Sequence, residues 1–548
     1  MSGNKVSRCS EENNEKLPTA ASSANTATPL AQSRQELIYP DLRPPVRAEK
    51  LPAPEDGPRG ITEDDCAGEL GYSFSARKKY AILAVVFFVQ VSMNLNTALY
   101  SNGQRGMSEE FGIPVSDTVW GAAIFLIAYA FGCELWAPWS EEVGRKWVLQ
   151  ASLCLVNVFG FVVAMAPNFH AVLAGRFLGG LSTAGGSVTL GMVADMFESD
   201  AQGHAVAFVV FSSVGGSILG PIVGGFIEEY LYWRWATWIQ VIFGGAVQLL
   251  HIVAVPETRT TCMMDSIAEK RRENGVPGYE NTYGPNELVP FRERFHYKEL
   301  IETWKRPFLM FITEPIVLVL SLLSGFADAL IFMQIQSFGL VYRQWGFGSV
   351  QIGLAFLSIG IGYVLAWLSF IPAINRNKRQ RLARPSFEKA QYESRLWWLL
   401  YTAPCLPIGL LIFAFTANGP PIHWAFSMFG ALVIGIANYA IYMATIDYMV
   451  AAYGPYAASA TGGNGWARDI LAGILTPAAI PFYTKMGPPN NLRNASLVLF
   501  GISIVLVGFV FWVYYSGPAL RKKSSFAQNL ANAEGAQDEI VMDGTDGA

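Results

Sequence analysis

The stretch GGSILGPIVGGF, residues 215–226, puts five glycines and a proline into twelve residues of a long apolar run. In a water-exposed helix each glycine costs up to ~1 kcal/mol and an interior proline ~3 kcal/mol. Such a helix is tolerated where no water competes for its backbone and where a neighbouring helix needs a smooth surface. Ser212, Gly216, Gly220 and Gly224 recur at four-residue steps and make a groove nearly free of side chains. Pro221 leaves the Ser217 carbonyl without its helical donor, so a bend or softened turn is expected there.

The rest of the chain shares this character. Of 548 residues, 52% are apolar and 15% charged, and the mean hydropathy is +0.29. Soluble proteins carry about 25% charged residues. Residues 1–75 are polar, without apolar periodicity or a cleavable signal pattern, and read as a disordered cytoplasmic tail. From Tyr80 onward, apolar runs recur at the ~20-residue length that crosses ~30 Å of hydrocarbon. Twelve spans are predicted, at 80–100, 119–139, 147–166, 171–194, 206–227, 236–255, 310–338, 349–372, 397–416, 422–446, 457–483 and 495–516. The expected fold is an all-α membrane protein of two six-helix halves, 76–255 and 307–517. A polar loop, 256–306, joins them, and a tail, 518–548, follows. The eleventh span is glycine-rich and proline-interrupted like the fifth, as expected of halves of similar design.

Lys and Arg set the orientation. One set of loops and flanks holds 24 of them and the opposite set five, which places both termini and the central loop in the cytoplasm. The six cysteines are scattered, and no CxxC, HExxH, Walker or nucleophile-elbow pattern is present. No enzyme activity, metal, cofactor or nucleic-acid partner is expected. A lipid bilayer, a small-molecule substrate and protons are, with the chain acting as a monomer.

Ionisable residues inside spans cost at least ~2.5–3.5 kcal/mol and each needs a reason. Arg176 heads a stripe with Gly180, Thr183 and Ser187 on one face of span four, either facing a pathway or snorkelling to the outer interface. Asp328 shares a face of span seven with Ser321 and Ser324, and either carries a proton or neutralises a buried arginine. Arg468 and Asp469 are adjacent in span eleven. Helix neighbours point about 100° apart, so the two are expected to face different helices. Glu134, in GCELWAPW of span two, is a further buried acid; Asp447 is read as interfacial. Gln90 and Asn94 share a face of span one, and Gln334 and Gln336 line span seven.

These residues resemble the major facilitator superfamily, and within it the twelve-span drug:proton antiporters common in fungi. APWSEEVGRK (137–146) is similar to the family's 2–3 loop motif: Gly144, Arg145 and Lys146 match, and Glu141 stands at the acidic position. Glu142 replaces the usual arginine and Ala137 the first glycine. The resemblance implies a conformational latch at Glu141, Gly144, Arg145 and Lys146. RFLGG (176–180) matches the span-four pattern whose arginine the family associates with proton coupling. GGSILGPIVGGF matches the span-five antiporter motif, which makes Gly216, Gly220, Pro221, Gly224 and Gly225 a seam, expected to lie against a helix of the second half. WRWATW (233–238), PETR (256–259), KRPFLMFITEPIV (305–317) and GPYAASATGGNGWAR (454–468) resemble further family segments.

Together these readings predict a plasma-membrane exporter that exchanges a small organic anion, such as a carboxylic acid, for protons by alternating access. Arg176 and Arg468 are its expected counter-ions, and Asp328, Asp469 or Glu134 its proton carriers. The alternatives are a multidrug or secondary-metabolite efflux pump, a proton-coupled importer and, in a different class, a non-transporting membrane sensor.

Overall fold

The computed structural model describes residues 58–197, 199–288, 297–384, 388–524 and 526–527. Eleven of its helices are long and apolar enough to cross a membrane. The first half holds α1 (Ala76–Phe111), α2 (Val115–Glu142), α3 (Arg145–Ala164), α4 (Phe169–Met196), α5 (Gln202–Tyr230) and α6 (Arg234–Ala254). The second holds α7 (Pro315–Trp345), α8 (Ser349–Ala383), α9 (Glu393–Thr416) and α10 (Trp424–Tyr453). It continues with α11 (Ala457–Lys485) and α12 (Asn491–Arg521). At ~1.5 Å per residue, the 29 residues of α11 also span the hydrocarbon. It reads as less apolar only because it carries Asn464, Arg468 and Asp469 across its middle.

The helices pair twice in the same pattern. Within the first half α1 packs on α5, α2 on α4 and α3 on α6; within the second, α7 packs on α11, α8 on α10 and α9 on α12. The two most extensive contacts between the halves, α2 with α11 and α5 with α8, are also related by a shift of six helices. This is the geometry of an internal repeat. Only 28% of the apolar window of α6 and 33% of that of α12 is buried, against 83% for α1 and 78% for α7. The former therefore face lipid and the latter the centre.

Local chemistry sets several boundaries. Asn168 caps α4 by accepting from the Ala171 amide at 2.9 Å. α4 is interrupted at Ser182–Ala184, so the single-face stripe read from the sequence does not persist. Thr183 bonds the Gly179 carbonyl at 2.9 Å and Ser187 the Cys133 carbonyl at 2.8 Å. The predicted seventh span divides at Glu314, after which Pro315 opens α7 at the position where a missing N–H costs nothing.

The tail departs from expectation. Residues 1–57 lie outside the described residues, but 58–75 are ordered rather than disordered. Arg59 and Gly60 pair in parallel with Thr282 and Tyr283. Ile61, Cys66 and Leu70 pack on Met264, Ile267 and Ala268 of the helix Thr260–Glu273 inside the central segment. Arg271 adds a 2.8 Å bond to Glu69 and a 3.1 Å bond to the Asp65 carbonyl. Three apolar residues are too few to show a period, yet they suffice to cover one amphipathic face. Burial holds the Cys66 thiol above its ordinary range.

Candidate functional site

Six helices surround the ionisable residues at the centre. Arg468 of α11 lies with Nε 3.4 Å from Asp469 and 3.8 Å from Asp328 of α7, and its guanidinium stacks 4.3 Å above the Tyr442 ring of α10. Arg468 and Asp469 therefore do engage each other. The 100° offset between helix neighbours is overcome because the arginine side chain is long enough for its Nε to approach both Asp469 and Asp328 of α7. The three charges border a central cavity of about 10 Å³, with Asn94 and Thr97 of α1, Tyr129 of α2 and Ser213 and Ser217 of α5. That is room for barely one water. The sequence reading missed Thr97, Tyr129, Tyr442, Ser213 and Ser217. The two serines, four apart beside the glycine groove, were the available signal.

Glu134 is buried on α2 against Gly462 of α11, where a Cβ would strike its carboxylate. Among the described residues it makes no hydrogen bond or ion pair. Arg176 is 3% exposed, so it does not snorkel. It donates to the Gly121 carbonyl at 3.1 Å and to the carbonyl and side chain of Asn96, each at 3.0 Å. Its guanidinium lies 4.0 Å from the centre of the Phe125 ring and 4.6 Å from that of Tyr100. It ties α1, α2 and α4 together and is not part of the central cavity wall. Gln90 bonds Thr189 at 2.9 Å, whereas Gln336 crosses between halves to Ser101 at 3.2 Å.

At the ends near the 2–3 loop, Arg145 is the hub of a charge knot. Its Nε meets Asp195 of α4 at 2.9 Å and its Nη1 meets Ser140 at 2.6 Å. The Glu257 carboxylate, just beyond α6, accepts from the backbone amides of Arg145 at 2.9 Å and Lys146 at 3.1 Å, neutralising the N-terminus of α3. Gly144 has φ +105°, and any Cβ there would collide with Glu257. Glu141 contributes its carbonyl, to Arg259 at 3.2 Å, and Arg259 reaches Asp195 at 3.6 Å. Thus Gly144, Arg145 and Lys146 lie in the knot, Glu141 takes part through its backbone, and Asp195, Glu257 and Arg259 complete it. In the second half Arg395 and Asp447 pair at 2.6 Å, while Arg521 is held by Glu393, Tyr448 and Glu388.

The glycine seam is divided between two partners. Gly216, Gly220 and Gly224 face α1, where a Cβ would overlap Asn94, Ala98 and Asn102 respectively. This groove packs within the first half, not against the second, because the four-residue stripe points toward α1. Gly225 is one residue, and about 100°, around the helix. It meets Ser349 and Gly353 of α8, and the Pro221 carbonyl abuts the same Gly353. Only this pair of positions crosses the halves. A matching contact sets Gly473 of α11 against Ala123 and Ile127 of α2.

Two further cavities lie toward opposite ends of the helices. One side holds a cavity of about 240 Å³ bordered by Asn102, Glu228 and Arg343, and the other a cavity of about 230 Å³ bordered by Gln202, Arg395 and Asp447. A buried charge cluster between two repeated six-helix halves is the arrangement of a polytopic membrane transporter rather than an enzyme. The Major Facilitator Superfamily model matches residues 82–477, and the chain belongs to that superfamily. Its relatives include the MFS-type transporter oryN of Aspergillus oryzae, 28% identical over 93% of this chain and 98% of that one. The Ascochitine biosynthesis cluster MFS transporter of Didymella fabae is 27% identical over 83% and 86%. The efflux pump FUB11 of Gibberella moniliformis is 28% identical over 83% and 75%. Among solved structures, the proton:xylose symporter XylE matches with a TM-score of 0.54 and 17% identity, over 80% of this chain and 96% of that one. That likeness is one of fold.

Proposed function

We propose that the chain is a proton-coupled exporter working by alternating access, with a small oxygen-rich organic metabolite as its substrate. The observation that carries this reading is the Asp328–Arg468–Asp469 cluster, enclosed with hydroxyl, amide and phenol groups at the interface of the two halves. Desolvated carboxylates at such an interface are natural proton carriers in transporters. Glu134, unpaired at the α2–α11 contact, is a second stop for the proton between the centre and the cytoplasmic side. The knot around Arg145 steadies that side, with both termini in the cytoplasm and the plasma membrane as the site of action.

A small organic anion, the first choice from sequence, fits this geometry less well. Arg176 is engaged elsewhere, and Arg468 is already held by two aspartates. An anion gains Arg468 only when Asp328 is protonated, which couples anion and proton in the same direction. Antiport instead requires proton and substrate to compete for one group. A neutral hydroxyl donor competes with a proton for the Asp328 carboxylate. The printed names of the relatives, an efflux pump and a biosynthesis-cluster transporter, support the metabolite reading.

The test is flux in vesicles holding the purified full chain under an imposed pH gradient. Catechol and resorcinol serve as neutral probes, and benzoate as the anionic one. Proton-driven uphill movement of a neutral probe, lost in Asp328→Asn, is the expected result. Transport indifferent to the pH gradient overturns the coupling. Co-directional movement of benzoate and protons overturns the exporter in favour of an anion importer.

A further inference from the structure

The ends of α8, α9 and α12 enclose a cavity of about 490 Å³ that the transport pathway does not use. Arg376, Arg379 and Arg384 of α8 and its continuation, with Lys389, supply four cations to its wall; Trp397 and Tyr514 supply its aromatic surfaces. The Arg376 guanidinium lies 3.5 Å above the Trp397 ring, and Lys389 sits 5.1 Å from the Tyr514 ring centre. The Arg376 Nη1 is buried without a hydrogen-bond partner. Among the described residues none of the four cations is in an ion pair. The nearby acids are committed elsewhere: Glu388 and Glu393 both bind Arg521. A cavity with this much uncompensated positive charge calls for an anion.

Its depth says which anion. At ~1.5 Å per residue α8 is ~50 Å long, well beyond ~30 Å of hydrocarbon, so its arginine-rich end emerges at the headgroup level. Tyr401, Trp512 and Tyr515 are exposed around the same end, as in an interfacial aromatic belt. Leu365 and Leu368, about two to three turns before Arg376 on α8, are exposed apolar residues suited to acyl chains. We propose that this cavity binds the phosphate headgroup of an anionic lipid in the leaflet that faces the chain termini. Arg376, pre-oriented on Trp397, and Lys389 would grip the phosphate, and the acyl chains would lie along α8. A lipid seated there bridges α8, α9 and α12 and stiffens the second half on the side of its Arg395–Asp447 pair.

The experiment measures thermal stabilisation of the detergent-purified full chain by dioctanoyl phosphatidic acid, dioctanoyl phosphatidylcholine and inorganic phosphate. Stabilisation by phosphatidic acid alone is expected, with an apparent affinity about tenfold weaker in Arg376→Gln/Lys389→Gln. Lys485→Gln/Arg493→Gln, at the opposite ends of α11 and α12, should bind like the parent chain. If the first double variant does not yield a monodisperse protein, Lys389→Gln alone is titrated and should show a several-fold loss. Equal affinity in parent and variant overturns the proposal. So does phosphate stabilising as well as phosphatidic acid, which would assign the cavity to a soluble anion.

Discussion

Arg145 at the start of α3 meets Asp195 at the end of α4 at 2.9 Å, and Arg395 at the start of α9 meets Asp447 at the end of α10 at 2.6 Å. The two pairs occupy equivalent places in the repeated halves, six helices apart. Both first-half side chains are under 10% exposed. Removing one partner of a buried pair leaves the other uncompensated, at a cost of about 3–5 kcal/mol. Asp195→Asn should therefore lower the melting temperature of the purified protein markedly, and Asp447→Asn should do so less, because that pair is more exposed. Differential scanning fluorimetry reads both. Equal, negligible shifts would show that the knots do not hold their halves together.

Asp328→Asn should abolish proton-driven transport while leaving expression normal, since the neutral amide keeps the shape and loses the exchangeable charge. Arg468→Ala should be worse folded, because it leaves Asp328 and Asp469 facing each other without a cation. The pair of variants separates coupling from stability: proton flux reports the first, and monodispersity the second.

Arg176→Lys should destabilise the first half without selectively weakening substrate binding. One ammonium cannot span the Gly121 and Asn96 carbonyls that the guanidinium fork reaches together. Leaving a buried carbonyl unbonded costs about 1–3 kcal/mol. A changed KM at unchanged melting temperature would contradict this structural role.

The divided seam gives two distinct outcomes. Gly220→Leu forces bulk between α1 and α5 inside one half, at about 1–3 kcal/mol or more, and should reduce the yield of folded protein. Gly225→Leu pushes α5 from α8 across the halves, so the protein should fold yet lose transport. Chromatographic monodispersity set against flux distinguishes them.

Much of the fold was legible because lipid imposes a strict length and polarity rule on each span, and Glu134, Arg176, Asp328, Arg468 and Asp469 stood out against apolar surroundings. Partners were harder to read. Whether Arg176 faced a cavity or carbonyls depended on the break in α4 at Ser182–Ala184, which no periodicity announced. The glycine stripe revealed a groove but not its occupant, since α1 and α8 both present small residues to α5. Asp195, Glu257 and Arg259 looked like ordinary loop charges, being close to helix ends where charge needs no explanation. Ile61, Cys66 and Leu70 were invisible for the opposite reason, too sparse to form a pattern without the helix Thr260–Glu273.

Among the described ion pairs, only Arg343–Glu228 links one half to the other, at 3.9 Å and with Arg343 56% exposed. A pair so loose and wet is worth ~0–1 kcal/mol. The tighter buried pairs named above, Arg145–Asp195, Arg395–Asp447 and Arg468 with Asp328 and Asp469, each lie within one half. The molecule thus resembles a bearing, stiff in each race, with glycine contacts and the aromatic pairs Phe131–Trp466 and Phe211–Tyr439 where the races meet. None of these buried ion pairs has to be torn apart and remade between the halves during the working stroke, so turnover should be nearly insensitive to ionic strength.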